Sequence, residues 1–141
     1  MKHSFRCMAA AVAALAACAS FSAGAADEAK APTAMVVVYH IAPGKHLDFL
    51  KWQAARDAID KEVGIAPTQF YAHRSGDSWD YVSIGPMTTP EQDAAADAAA
   101  KKKGLTSGFK ASLEFRTFVA SHSDTVAEGP VTAAQLVSEA Q

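Results

Sequence analysis

Three histidines of this chain stand where chemistry can use them. His40 falls near the end of an otherwise apolar run, Met35-Val36-Val37-Val38-Tyr39-His40-Ile41, where it alternates with Val36 and Val38. Imidazole titrates near neutrality, so at that place it can act as an acid, a base or a ligand-orienting group. The alternative is a hydrogen-bonded, inert His at a strand end. His73 and Asp80 flank a turn and come opposite one another if Gly76-Asp77 forms a two-residue hairpin loop. A carboxylate that orients an imidazole aids proton transfer, whereas a polar cross-strand pair on a solvated face does nothing chemical. His40, His73 and Asp80 are therefore the catalytic candidates. Tyr39, Tyr71, Trp79 and Tyr81 are the ligand-binding candidates, since aromatic walls with polar tips line many pockets, although the same residues serve core and interface packing. His122 and Asp124 are two apart at the end of a segment read as helical. They would share no helical face, and a His answering the helix dipole accounts for the pattern.

Several chemistries find no support in the spacing. There is no H-x-x-x-H, no C-x-x-C and no compact carboxylate set, so no metal is expected, and no cofactor signature is present. No G-x-S-x-G, phosphate loop or dinucleotide fingerprint occurs either, which removes the hydrolase, kinase and Rossmann readings. Lys101-Lys102-Lys103 is the only basic run. It closes an alanine-rich segment before Gly104, where cations complement a helix C-terminus, so no nucleic-acid partner is expected.

The first 26 residues read as an export signal. Lys2 and Arg6 precede an apolar run from Cys7 to Phe21, and Ala23-Gly24-Ala25 forms the A-x-A pattern of a signal-peptidase site. The run is shorter than the roughly 20 apolar residues of a membrane span. A periplasmic or secreted protein follows, with no membrane association unless Leu15-Ala16-Ala17-Cys18 acts as a lipobox and Cys18 is lipidated. Under the first cut both cysteines depart with the leader, and stability rests on packing alone. About 115 residues remain, enough for one domain with one core. Removing Lys2 and Arg6 from the 13 basic residues leaves 11 against 15 acidic ones, so the net charge moves from −2 to about −4.

The elements that must position the candidates can be read in order. Residues 27–34 are a polar, disordered lead-in, and 35–141 form the domain. Met35–Ile41 is a strand closed by Pro43-Gly44. From Lys45 to Val63 an amphipathic helix places Leu47, Leu50, Ala54 and Ala58 on one stripe, with Trp52, Ala55, Ile59 and Val63 beside it, and Gly64 ends it. Thr68–Arg74 and Trp79–Ile84 form a hairpin in which His73 faces Asp80 and Tyr71 faces Val82. Thr89-Pro90-Glu91-Gln92 opens an alanine-rich helix running to Lys103. A further helix is expected from Ser107 to His122, and the tail offers a short strand, an edge segment or a terminal helix near Val131 and Leu136-Val137.

This is the β-α-β-β-α-β order of a ferredoxin-like α+β sandwich, an antiparallel sheet with helices on one face. Val36-Val37-Val38-Tyr39-His40-Ile41-Ala42-Pro43-Gly44-Lys45-His46-Leu47-Asp48-Phe49-Leu50 and the Tyr71-to-Met87 hairpin resemble the dimeric α/β-barrel superfamily. That superfamily includes antibiotic-biosynthesis-type monooxygenases and NIPSNAP-like and EthD-like proteins. The resemblance implies a homodimer joined through the sheet, a small apolar or aromatic ligand between sheet and helices, and, in some members, oxygenation or rearrangement without metal or cofactor. It implies haem binding through His73 or His40 only by analogy with other members. The expected function is an exported small-molecule-binding dimer, with a cofactor-independent oxygenase-like or isomerase-like activity. The alternative is a non-catalytic envelope protein serving interaction or stress responses.

Overall fold

The computed structural model describes residues 32–76 and 78–141. The leader and most of the lead-in lie outside the described residues, as does Asp77 of the hairpin turn. Eight elements follow in chain order: β1 (Thr33–Ile41), α1 (His46–Glu62), β2 (Gln69–Ala72), β3 (Tyr81–Pro86), α2 (Pro90–Lys102), α3 (Phe109–Arg116), β4 (Val119–Glu128) and α4 (Ala133–Glu139). The four strands form one antiparallel sheet in the order β2-β3-β1-β4. The first strand starts at Thr33 rather than Met35, because Thr33 and Ala34 pair with Glu128 and Ala127.

Register decides which side chains meet. Val37 lies opposite Ser83 and Asp124, and Tyr39 opposite Tyr81 and His122. With side chains alternating across a strand, Val37, Tyr39, Ile41, Phe70, Tyr81, Ser83, His122 and Asp124 share one face. Val36, Val38, His40, Tyr71, Val82 and Ile84 share the other. The hairpin register is the expected one: Tyr71 pairs with Val82, and the His73 N–H donates to the Asp80 carbonyl at 2.9 Å.

The core is a layer of aromatic rings between the first face and the helices. Phe49 of α1 has no solvent exposure, and its ring lies 5.1 Å from Tyr39 and 5.7 Å from Tyr81, nearly parallel to the latter. Phe70 and Phe115 close the layer at 6.2 Å and 6.4 Å from Phe49. Helix α1 buries Phe49 and Ile59, with Trp52, Arg56 and the following Val63 half-buried beside them, while Leu47 is 62% exposed and Ala54 and Ala58 face solvent. The helical period expected for this segment is correct, but its phase is displaced. A helix with two candidate apolar stripes docks the one that meets the opposing surface, and here that surface is aromatic.

Local signals stop and start the helices as their residue types demand. Gly64 takes φ 78°, a conformation costly for any residue with a Cβ, and this lets the Ile65 N–H reach back to the Asp60 carbonyl at 2.9 Å. At the start of α2, the Thr89 hydroxyl accepts from the Gln92 N–H and the Gln92 side chain accepts from the Thr89 N–H, a complete capping box. This helix lies on the surface and buries only Ala100.

The segment 107–122 departs from expectation. Helix α3 stops at Arg116 and the chain enters β4 at Val119, so the single long helix is instead a short helix and the fourth strand. Phe109 and Leu113, spaced as a buried stripe, are 74% and 48% exposed. Thr117, Val119, Thr125 and Val126 are β-branched, and Ser121, Ser123 and Asp124 are poor helix formers. The tail resolves as the third option offered by its sequence, the terminal helix α4, with Thr132 and Gln135 forming its capping box.

Candidate functional site

The correction at β4 creates the site. In a strand, residues two apart point to the same side, so His122 and Asp124 stand together on the helix-bearing face. Nδ1 of His122 lies 2.8 Å from Oδ1 of Asp124. With the carboxylate ionised, Nδ1–H is the donor in this bond, which leaves the Nε2 lone pair as the basic position. The imidazole also meets the edge of Phe115, centroids 5.0 Å apart at 73°.

This pair lines an open cleft of about 430 Å³ between the sheet and helices α1 and α3. Val37 and Tyr39 form its sheet wall, Trp52 and Arg56 its α1 wall, and Phe115 and Arg116 its α3 wall. The α1 wall is held in place by Glu114. Its Oε2 accepts from Trp52 Nε1 at 3.1 Å and from the Thr106 hydroxyl, and Arg56 Nη2 lies 3.8 Å away. Arg56 in turn donates to Thr106 Oγ1 at 2.8 Å and lies 5.1 Å over the Trp52 ring. The cleft therefore has rigid aromatic sides and a His–carboxylate pair on its edge strand.

Tyr39 is the expected ligand-binding residue that the structure brings into the cleft. It is 7% exposed, and its hydroxyl shares a 2.9 Å hydrogen bond with Ser83 Oγ. Burial pushes its pKa above the ordinary 10.0; the Ser83 hydrogen bond opposes this, and the nearby Asp124 charge adds to it. A raised pKa means the folded state resists ionisation, so the contribution is intact below about pH 10 and is lost as pH rises through the folded value. Tyr81 is raised too, by burial and then by Asp80. Urea unfolding across the range from about pH 9 to pH 12 is expected to show stability falling above pH 10, with a shallower fall in Tyr39→Phe. An unchanged slope in that variant would contradict the assignment.

The other candidates sit elsewhere. Tyr81 belongs to the core stack, its hydroxyl 3.5 Å from His46 Nδ1. Tyr71 is 49% exposed on the opposite face and donates to Gln69. His40 stands half-buried on that same face, opposite Ser121. His73 packs on Trp79 with centroids 5.0 Å apart, and its buried Nε2 has no hydrogen-bond partner among the described residues. Asp80 uses its carboxylate on the backbone, accepting from the Ile41 N–H at 2.6 Å beside the irregularity in β1–β4 pairing, while its own N–H donates to the Tyr39 carbonyl. His73 and Asp80 are thus neighbours in register, with the carboxylate engaged by Ile41. His40, His73 and Asp80 line no part of the cleft. The signal that would have found His122 and Asp124 is their spacing of two, informative only once the segment is read as a strand.

No group of three or more His, Cys, Asp or Glu side chains arranged for a metal ion occurs among the described residues, and none of their helices is long and apolar enough to cross a membrane.

The chain is a ferredoxin-like α+β protein, with helices laid on an antiparallel sheet of order β2-β3-β1-β4. Its fold is similar to that of protein At3g17210 from Arabidopsis thaliana, at a TM-score of 0.50 and 8% identity over 72% of this chain and 99% of that one. SnoaB, a cofactor-independent oxygenase from Streptomyces nogalater, aligns at a TM-score of 0.48 and 16% identity over 72% of this chain and 95% of its own. A NIPSNAP domain protein from Burkholderia xenovorans aligns at 0.44 and 17% identity over the same shares, 72% and 95%. At such identities the likeness is one of fold alone. No protein-family model matches the chain, and no curated protein matches it.

Proposed function

We propose that this protein binds a small, planar, mostly apolar molecule in the cleft between its sheet and helices and moves a proton on it with His122, oriented by Asp124. The observation that carries this reading is the 2.8 Å His122–Asp124 contact on the wall of an open cleft whose other walls are Tyr39, Trp52 and Phe115. The proton leaves a carbon of the ligand for Nε2 and returns to another atom of the same molecule, which is isomerisation. Abstraction from carbon is also a step available to an oxygenase without cofactor, so both members of the expected activity need the same base. The electrons left on the ligand spread into its own conjugated system, and the aromatic walls hold such a flat body by packing.

The reading includes export and a homodimer. The basic start, apolar run and A-x-A site of the leader support export. Val36, Val38, Val82 and Ile84 support the dimer: they are apolar, half-buried and on the face opposite the aromatic core, where a second copy would cover them. Native mass spectrometry of the protein purified from the periplasm tests the whole. A dimer carrying a reproducible extra mass supports it, and the denatured mass reports where the mature chain begins. A bare polypeptide that takes up no aromatic probe on titration favours an interaction protein instead. Val38→Lys is expected to yield monomer, because it sets an unpaired charge in the covered face. A variant that remains dimeric would place the interface elsewhere.

A further inference from the structure

The two arginines of the cleft are not equivalent. Arg56 is spent within the protein, on Thr106, on Glu114 and over the Trp52 ring. Arg116 lines the same cleft from the end of α3, is exposed, and its side chain makes no hydrogen bond or ion pair with any of the described residues. It adjoins Phe115, whose ring touches the His122 imidazole. The α3 wall therefore presents a guanidinium, an aromatic ring and, across the cleft edge, the basic nitrogen's own ring.

Charge bookkeeping within the site points the same way. Arg56 and Glu114 neutralise one another, and the Asp124 carboxylate is engaged by the Nδ1–H of His122. Arg116 is then the cleft cation whose guanidinium has no ion-pair partner among the described residues. A guanidinium offers two parallel N–H donors that fit a carboxylate, and a flat apolar body would lie along Phe115.

We infer that the molecule taken by this cleft is an aromatic carboxylate, with its anionic group on Arg116 and its ring system along Phe115 toward His122. Arg116 is then a specificity-determining residue. This rests on the cleft being the binding site, as proposed above.

The test uses 2-naphthoate and its neutral analogue 2-naphthamide, titrated into the full mature protein and followed by calorimetry and by fluorescence of Trp52 and Trp79. The wild type is expected to bind the naphthoate about tenfold or more tightly than the amide, the size of one charge-assisted contact. Arg116→Gln brings naphthoate binding down to that of the amide. Lys110→Gln removes another exposed cation from α3 outside the cleft and keeps the wild-type ratio; circular dichroism checks that both variants fold. Equal binding of the two probes by the wild type, or a ratio that survives in Arg116→Gln, overturns the carboxylate assignment while the cleft reading stands. Binding of neither probe overturns both.

Discussion

Replacing His122 with alanine is expected to slow proton transfer in the cleft by about 10²–10⁴-fold, the range over which a positioned general base contributes. Deuterium uptake from D₂O at C1 of 2-tetralone, an enolisable aromatic ketone, measures this by NMR without knowledge of the physiological ligand. The argument is geometric: His122 is the imidazole that lines the cleft and has a carboxylate on one nitrogen, leaving the other free to accept a proton. Asp124→Asn is expected to cost less than loss of the base, since it removes the carboxylate's charge but leaves an amide oxygen that can still accept from Nδ1–H, and the pair is partly solvated, with side chains 33% and 48% exposed. His40→Ala and His73→Ala serve as comparisons, because neither residue reaches the cleft. If exchange falls in either of these and persists in His122→Ala, the chemistry belongs to the residues first singled out in the sequence and the β4 pair is structural.

The second large effect is on stability. Phe49→Ala is expected to destabilise the domain by about 3–5 kcal/mol, the usual cost of emptying a ring-sized space in a packed core. Phe49 has no solvent exposure and its ring neighbours include Tyr39, Phe70, Tyr81 and Phe115, so four walls lose a partner together. Against a typical total of about 5–15 kcal/mol the loss is a large fraction. Urea denaturation followed by circular dichroism should show a lower midpoint with an unchanged slope. Phe49→Leu, which keeps most of the volume, should lose much less. A midpoint shift corresponding to less than about 1 kcal/mol in the alanine variant would mean that this aromatic layer is not the core.

These two variants act on connected parts of one structure. Tyr39 is a wall of the cleft and a neighbour of Phe49, so the ring layer that stabilises the domain also sets the floor against which a ligand would rest. Phe49→Ala should therefore weaken binding of an aromatic probe at temperatures where the protein remains folded, whereas His122→Ala should leave the urea midpoint near that of the wild type. That separation distinguishes a residue that shapes the cleft from one that acts in it.

Residue types and short-range spacing determined much of the fold. The apolar β1 segment, the Gly64 stop, the capping box at Thr89 and the register that sets Tyr71 against Val82 are all local effects, governed by backbone preferences a few residues wide. From them the β-α-β-β-α order and the ferredoxin-like class follow. Three matters were decided only by tertiary structure. The phase of α1 depended on which of two apolar stripes met the aromatic face, so Phe49 went inside and Leu47 outside. Asp80 gave its carboxylate to the Ile41 N–H, a contact between residues 39 apart in the chain. Most consequentially, the polar stretch Ser121-His122-Ser123-Asp124 became a strand. Its residues disfavour a helix but lack apolar alternation, so its extended conformation is fixed by pairing with β1 along almost its whole length. Period two rather than 3.6 then brought His122 and Asp124 to one face, so the candidate site exists because a partner strand imposed a geometry that the segment does not encode alone.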